Sequence, residues 1–370
     1  MERKRLGIVS RAAIVALVTV VLTTAFLAAA WTTSPALALT GSPPPGFIEV
    51  INPASTVVYG PYPSNMGYFV GAVEYGDTHP GDKVLVAQGF TDTLNISLPI
   101  NASGLWIEGP ASGVGVPMPT INLNSFTITI DAKNVLIWGL NLIQSTGLNS
   151  YCLEILGGSD TVENNTIMGN GVGGGIYIQS SSNNIALNTL SNFGDAAPGI
   201  TAGIIIGLGS NNTVELNTLN PPYYIGINLL STAGSGNMIW WNNLIYASPG
   251  IYPILDNSNK TNTYDNLNKG NYYDSWPIGV PPYKIPGTNP NYDNYPLPSP
   301  AKHIPGDITG GPNGCPDGKV SGPDLHALGL AWGTSWGQYG YDPRADLTGI
   351  GSVGGAALHV LGLYWGTIDP

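Results

Sequence analysis

A chain of 370 residues is long for one small domain and suits two. Only 9% of it is Asp, Glu, Lys or Arg, against roughly a quarter in an ordinary soluble domain, and 34 Asn, 50 Gly and 31 Pro set its character instead. Gly and Pro at that level argue against a helical bundle, 43% apolar residues argue against disorder, and a charge of −11 with four Arg excludes a basic nucleic-acid footprint.

Residues 1–38 have the order of an export signal. Arg3, Lys4, Arg5 and Arg11 are the basic region, Ala12 to Ala30 the apolar run, and Ala36-Leu37-Ala38 a cleavage site. The run is 19 residues long, so an uncleaved anchor is the alternative. Either way the rest of the chain is expected outside the cell, secreted or surface-anchored. Residues 39–78, with Phe47, Val50, Val57 and Tyr59, read as an N-terminal cap and entry strands. Two cysteines, Cys152 and Cys315, cannot build a disulfide framework, and Cys152 suits a core position.

From 79 to 285 the chain repeats. Gly139-Leu140-Asn141-Leu142, Asn164-Asn165-Thr166-Ile167, Leu187-Asn188-Thr189-Leu190, Leu216-Asn217-Thr218-Leu219 and Trp241-Asn242-Asn243-Leu244 recur at spacings of 25, 23, 29 and 25. Each follows a short β run: Phe126 to Ile130, Leu153 to Leu156, Ile176 to Ile178, Ile204 to Ile206 and Ile227 to Leu230. Such a unit cannot bury its own apolar face, but stacked copies share one core, which predicts a parallel β-helix. Asn suits its corners because it tolerates left-handed backbone and its amide can ladder with the Asn of the next coil. A β-sandwich would give turn signals every 8 to 12 residues without this register.

Gly81 to Phe90, Leu94-Asn95-Ile96 and Leu105 to Gly109 resemble the opening coil of pectin-lyase-like right-handed β-helices. Gly270-Asn271-Tyr272-Tyr273-Asp274-Ser275-Trp276, Pro282 to Pro286 and Asp293 to Leu297 resemble the terminal coil of NosD-like proteins. The copper role of some NosD relatives needs His, Met or Cys ligands. The repeat offers only Met118, Met168, Met238 and Cys152, none at ligand spacing.

Beyond a Pro-rich linker at 286–305, a module at 306–370 is duplicated. Asp324 to Thr334 matches Ala357 to Thr367 at an offset of 33, each a short helix after an acidic loop. The pair resembles a dockerin. A calcium loop takes oxygens from positions 1, 3, 5, 7, 9 and 12. Asp307, Thr309, Asp317, Lys319 (carbonyl), Ser321 and Asp324 fill them if six extra residues within Gly310 to Pro316 are skipped. The second loop keeps Asp346, Thr348 and Ser352 but has Ile350 and Ala357 at the acidic positions, so one calcium is expected. His326 and His359, at equivalent helix positions, read as packing residues.

β-Helix lyases use Arg or Lys with calcium held by Asp, and galacturonan hydrolases use clustered Asp with His and Arg. No Arg lies between Arg11 and Arg344, no His between His79 and His303, and no two Asp are adjacent. An outward column of Trp138, Glu163, Ala186, Glu215 and Trp240, extended by Glu108, is predicted on one face. Its rings and carboxylates suit sugar binding, with Tyr223, Tyr224, Trp241, Tyr246 and Tyr252 nearby. Glu163 and Glu215, two coils apart, are the candidates for an inverting carboxylate pair, which needs about 6.5–9.5 Å of separation. Sequons at Asn95, Asn101, Asn164, Asn211 and Asn259 are possible glycan acceptors.

The expectation is therefore an exported β-helix that binds polysaccharide or acts as a scaffold. Its calcium-stabilised module would hold a cohesin-like partner or the cell envelope. A polysaccharide hydrolase or lyase, or a purely structural surface protein, are the alternatives. Membrane contact is expected only through an uncleaved N-terminal segment.

Overall fold

Three short strands per turn, each bounded by a single left-handed residue or a Gly-rich bend, coil the chain into a parallel β-solenoid of about seven turns. The computed structural model describes residues 45–110, 117–146, 150–171, 173–194, 201–221, 224–245, 251–266, 269–274 and 281–368. The predicted export signal lies outside them. No helix of the described residues is long and apolar enough to cross a membrane.

Each strand pairs with its equivalent one coil on, giving three sheets. The first runs from Lys83–Val86 through Trp106–Glu108, Leu136–Trp138, Thr161–Glu163, Asn184–Ala186 and Thr213–Glu215 to Met238–Trp240. The second holds the Asn-Thr-Leu repeats, from Thr91–Thr93 to Tyr272–Tyr273. The third holds the longer runs, such as Tyr151–Ile155 and Ile225–Leu229. Inward Ile, Leu and Val from all three stack into one core, with Cys152 among them. Burying ~0.8 kcal/mol per CH₂ along such a stack is what no single turn achieves alone.

The corners work differently from the expectation. The left-handed residue is not the laddering Asn but the one before it: Gly139, Asn164, Leu187, Leu216 and Trp241. The next residue then turns its amide along the solenoid axis. Asn165, Asn188 and Asn217 accept the backbone N–H of Leu140, Asn165 and Asn188 at 3.0 Å each, and Asn242 and Asn271 continue the series at 3.1 Å. A second ladder, Asp160–Asn183–Asn212–Asn237–Asn262, lines the opposite corner of the first sheet. Leu and Trp tolerate left-handed backbone here because the buried ladder fixes the turn around them.

The solenoid has two plugged ends. Phe47–Ile51 pairs antiparallel with both Val57–Pro63 and Lys83–Val86, so the cap reverses the strand direction at the edge. Helix α1 (Tyr68–Thr78), which the sequence reading did not foresee, buries Phe69, Ala72 and Val73 over the open core. Asp92 accepts the N–H groups of Gly67 and Phe69 at its start. At the far end Tyr283–Ile285 and Asn291–Asp293 form a hairpin, with Tyr273 stacked on Tyr283 at 3.9 Å.

Residues 286–305 are not a free linker. Leu297 donates its N–H to Asn271, Ala301 bonds both amide atoms of Asn243, and both pack near Trp240 and Trp241. The two repeated units that follow are helices α2 (Gly322–Leu330) and α3 (Gly355–Leu363), each preceded by a loop. They fold back onto the first sheet, so that Ile51, Leu85 and Ala87 share a core with Ile308, Val320, Leu328, Trp336 and Tyr341.

Candidate functional site

Strand pairing places the predicted column in register: Glu108 pairs with Trp138, Trp138 with Glu163, Glu163 with Ala186, Ala186 with Glu215 and Glu215 with Trp240. The sequence therefore located the face. Its exposure is the correction. Glu108 and Glu215 are 0% exposed, Trp240 is 1%, and Trp138 and Glu163 are 4%. The C-terminal module lies over them. A signal was present, since strands such as Leu136-Ile137-Trp138 are apolar on both faces, the pattern of a sheet covered on both sides.

Polar contacts from several points of the module fix the cover. Lys83 donates to the Tyr341 carbonyl at 2.8 Å, and the Tyr339 N–H donates to Ser55 at 2.9 Å. Asn313 donates to the Thr213 hydroxyl and the Asn211 carbonyl, both at 3.1 Å. Asn313 belongs to the six residues that the calcium-loop alignment had to skip. Their role is physical: they form the wedge that reaches the solenoid, and they set the buried Cys315 thiol against Glu215.

Between solenoid and module lie two cavities. One, of about 350 Å³, is lined by Trp138, Glu163 and Asn164 from the solenoid and by His303, Arg344 and Thr348 from the other side. The other, of about 460 Å³, is lined by Lys83 and Trp106 opposite Tyr339, Asp342 and Arg344. Lys83 sits 3.9 Å from the centre of the Trp106 ring and 3.5 Å from Glu108. Arg344 grips Asp342 through two bonds, of 3.1 and 2.8 Å.

Burial dominates the electrostatics. It pushes Glu108 up to about 7 against the pull of Lys83, and Glu163 up to about 7 against the pull of Arg344. Glu215 is raised well above its ordinary range by the same cause, against the pull of the neighbouring Cys315 thiol. Burial also opposes the charge of Asp342, but Arg344 outweighs it and keeps that carboxyl below its ordinary range. Glu215 is enclosed on every side, whereas Glu163 and Trp138 border the smaller cavity. Of the flanking aromatics, Trp240 and Trp241 stack on each other at 4.9 Å, Tyr224 packs over Ile205 and Ile225, and Tyr252 is exposed. Tyr223 and Tyr246 lie outside the described residues.

In the first loop two of the predicted ligands are tied to backbone amides. Asp307 accepts the N–H groups of Asp317 and Gly318, and Asp324 accepts those of Ile308, Thr309 and Ser321. Burial first, then the nearby Asp324 and Asp317 carboxyls, raise Asp307 to about 7. An all-oxygen donor set of three carboxylates, two hydroxyls and a carbonyl is the chemistry of a hard cation. Among the described residues, however, no group of three or more His, Cys, Asp or Glu is gathered at metal-holding spacing. In the second loop Asp346 is consumed by Tyr341, Thr348 and Gly351, which closes the loop with protein donors alone. Ser352 there bridges to Ser335. His326 and His359 are exposed, not packed.

Sequence reasoning missed Lys83, His303, Asn313 and Arg344 as parts of this region. Arg344 carried a signal, being the sole Arg after residue 11. No protein-family model, curated protein or solved structure matches the chain.

Proposed function

We propose that the protein is an exported, NosD-like right-handed β-helix that binds polysaccharide or acts as a scaffold at the cell surface, with a dockerin-like module as its attachment point. The observation that carries the binding reading is the cavity where Trp138 and Glu163 meet His303 and Arg344. An indole wall and a ring of hydrogen-bonding groups suit a sugar's apolar face and its hydroxyls. Retention on immobilised plant and microbial polysaccharides tests it. Trp138→Ala with Glu163→Gln is expected to weaken retention at least about tenfold, the loss of one stacking or charged hydrogen-bond contact. Retention that is unchanged rejects the cavity as the site, and release of reducing ends that Glu163→Gln abolishes would replace binding by hydrolysis.

Attachment is supported by exposed apolar side chains at equivalent positions of the two repeats, Leu330 with Leu363 and Trp332 with Trp365. These point to a cohesin-like partner or an envelope component. Asp307, Thr309, Asp317, the Lys319 carbonyl, Ser321 and Asp324 would hold one calcium ion. Bound there, the ion would neutralise the three carboxylates and order the loop before α2. A calcium titration followed by EDTA is expected to raise and then lower the module's melting temperature by several degrees. A melting profile indifferent to both excludes the ion.

A further inference from the structure

Beneath the module, anions outnumber cations. Glu108 faces Lys83 from the neighbouring strand, with Asp342 and the Tyr341 ring from the module. Glu163 faces Arg344 and Asp342 across a cavity that His303, Asp307 and Asp346 also line. Glu215 faces Cys315, with Asp307, Asp317 and Glu163 near it. Lys83 divides its charge between Glu108 at 3.5 Å, the Tyr341 carbonyl and the Trp106 ring, and Arg344 is committed to Asp342. With the module seated, the column's carboxyls either hold their protons or sit as buried, poorly compensated anions, and the second state is costly.

We propose that the seating of the C-terminal module on the solenoid is a pH-controlled contact, closed while Glu108 and Glu163 are protonated and loosened as they ionise. This goes beyond the binding reading and requires no glycan. Both carboxyls stand at about 7 when covered, from an ordinary 4.5 when a released module leaves them in water. A group raised in the seated state favours seating while protonated. The contribution is therefore complete below about 4.5, falls between 4.5 and about 7, and changes no further above. At tenfold per unit, each glutamate weakens the seat by about three hundredfold across the full window, of which about a hundredfold falls between pH 5 and pH 8. Burial raises Glu215 as well, against the pull of the Cys315 thiol. Burial lowers His303, which opposes the trend on the acid side, one imidazole against two carboxyls. The uncharged contacts of Ile51, Leu85, Ala87 and Asn313 set the baseline that the glutamates modulate.

Hydrogen exchange of the full-length protein at one fixed calcium concentration tests this. The amides of Ala301 and Tyr339 are the reporters: the Tyr339 bond to Ser55 crosses the seat, and the Ala301 bond to Asn243 ties down the segment that leads into the module. After correction for intrinsic rates, both are expected to exchange faster at about pH 8 than at about pH 5, by up to the hundredfold per glutamate above. Glu108→Gln with Glu163→Gln is expected to remove the difference, while Glu74→Gln on the exposed face of α1 leaves it intact. Equal protection at the two pH values overturns the proposal, as does a difference that survives the double substitution. Small-angle scattering of the unmodified chain over the same range decides the matter without any variant, since an opening module enlarges the radius of gyration and a fixed one does not.

Discussion

Asp160 is the one acidic member of an otherwise amide ladder. Its Oδ1 accepts the Val135 N–H at 2.9 Å, while Oδ2 is buried with no partner. Burial raises this carboxyl from 3.8 to about 7. The folded state thus holds a proton that the unfolded chain releases near 4, so stability from this residue is complete below about 4 and declines as pH rises toward 7. Asp160→Asn retains the accepting oxygen and supplies an N–H₂ where the orphan oxygen was. The variant is expected to be more stable by about 1–2 kcal/mol at pH 8 and nearly neutral at pH 4. Thermal unfolding at the two pH values checks it; a stabilisation equal at both would place the effect in packing rather than in charge.

At the scale of the strand and its corner, the repeat was legible because each turn needs the same Asx in the same place. What stayed hidden was the division of labour within the corner. Leu187, Leu216 and Trp241 carry the left-handed backbone although nothing in their side chains favours it. The cause lies in the neighbouring turn, which spacing cannot show. Asn217 illustrates the coupling: its oxygen accepts both the N–H and the side-chain amide of Asn188, and its own amide reaches the Ile185 carbonyl and Asn242. Asn217→Ala strands several buried polar groups at once. It is expected to cost about 3 kcal/mol, more than the ~1 kcal/mol of a single hydrogen bond, whereas Asn95→Ala at an exposed position with ordinary backbone costs almost nothing. Denaturant unfolding of the two variants gives the comparison; similar small losses would mean that the ladder adds nothing beyond its individual bonds.

At the scale of the whole chain, sequence fell short where two distant segments meet. Periodicity located the column on the first sheet but had no access to the fact that residues 306–368, some two hundred positions away, cover it. Gly318 marks the closest approach. It occupies the turn position of the first loop at φ +78°, and a Cβ built on it would stand 2.3 Å from the edge of the buried Trp241 ring. That ring cannot retreat, since it is stacked on Trp240 and has Lys269 over it at 4.7 Å. Gly351 holds the equivalent turn of the second loop at φ +79°, yet its Cβ would meet nothing nearer than 3.8 Å. Alanine at either site bears the same left-handed strain, about 1 kcal/mol, so the difference between them isolates the contact with the solenoid. Gly351→Ala is expected to lower the module's own melting temperature slightly and to leave exchange at Ala301 and Tyr339 unchanged. Gly318→Ala is expected to carry that same local cost and, in addition, to speed exchange at both reporters at every pH, because the clash acts on the seat whatever the charge beneath it. If the two variants behave alike, Trp241 is a bystander and the module is held through Lys83 and the Asn313 wedge.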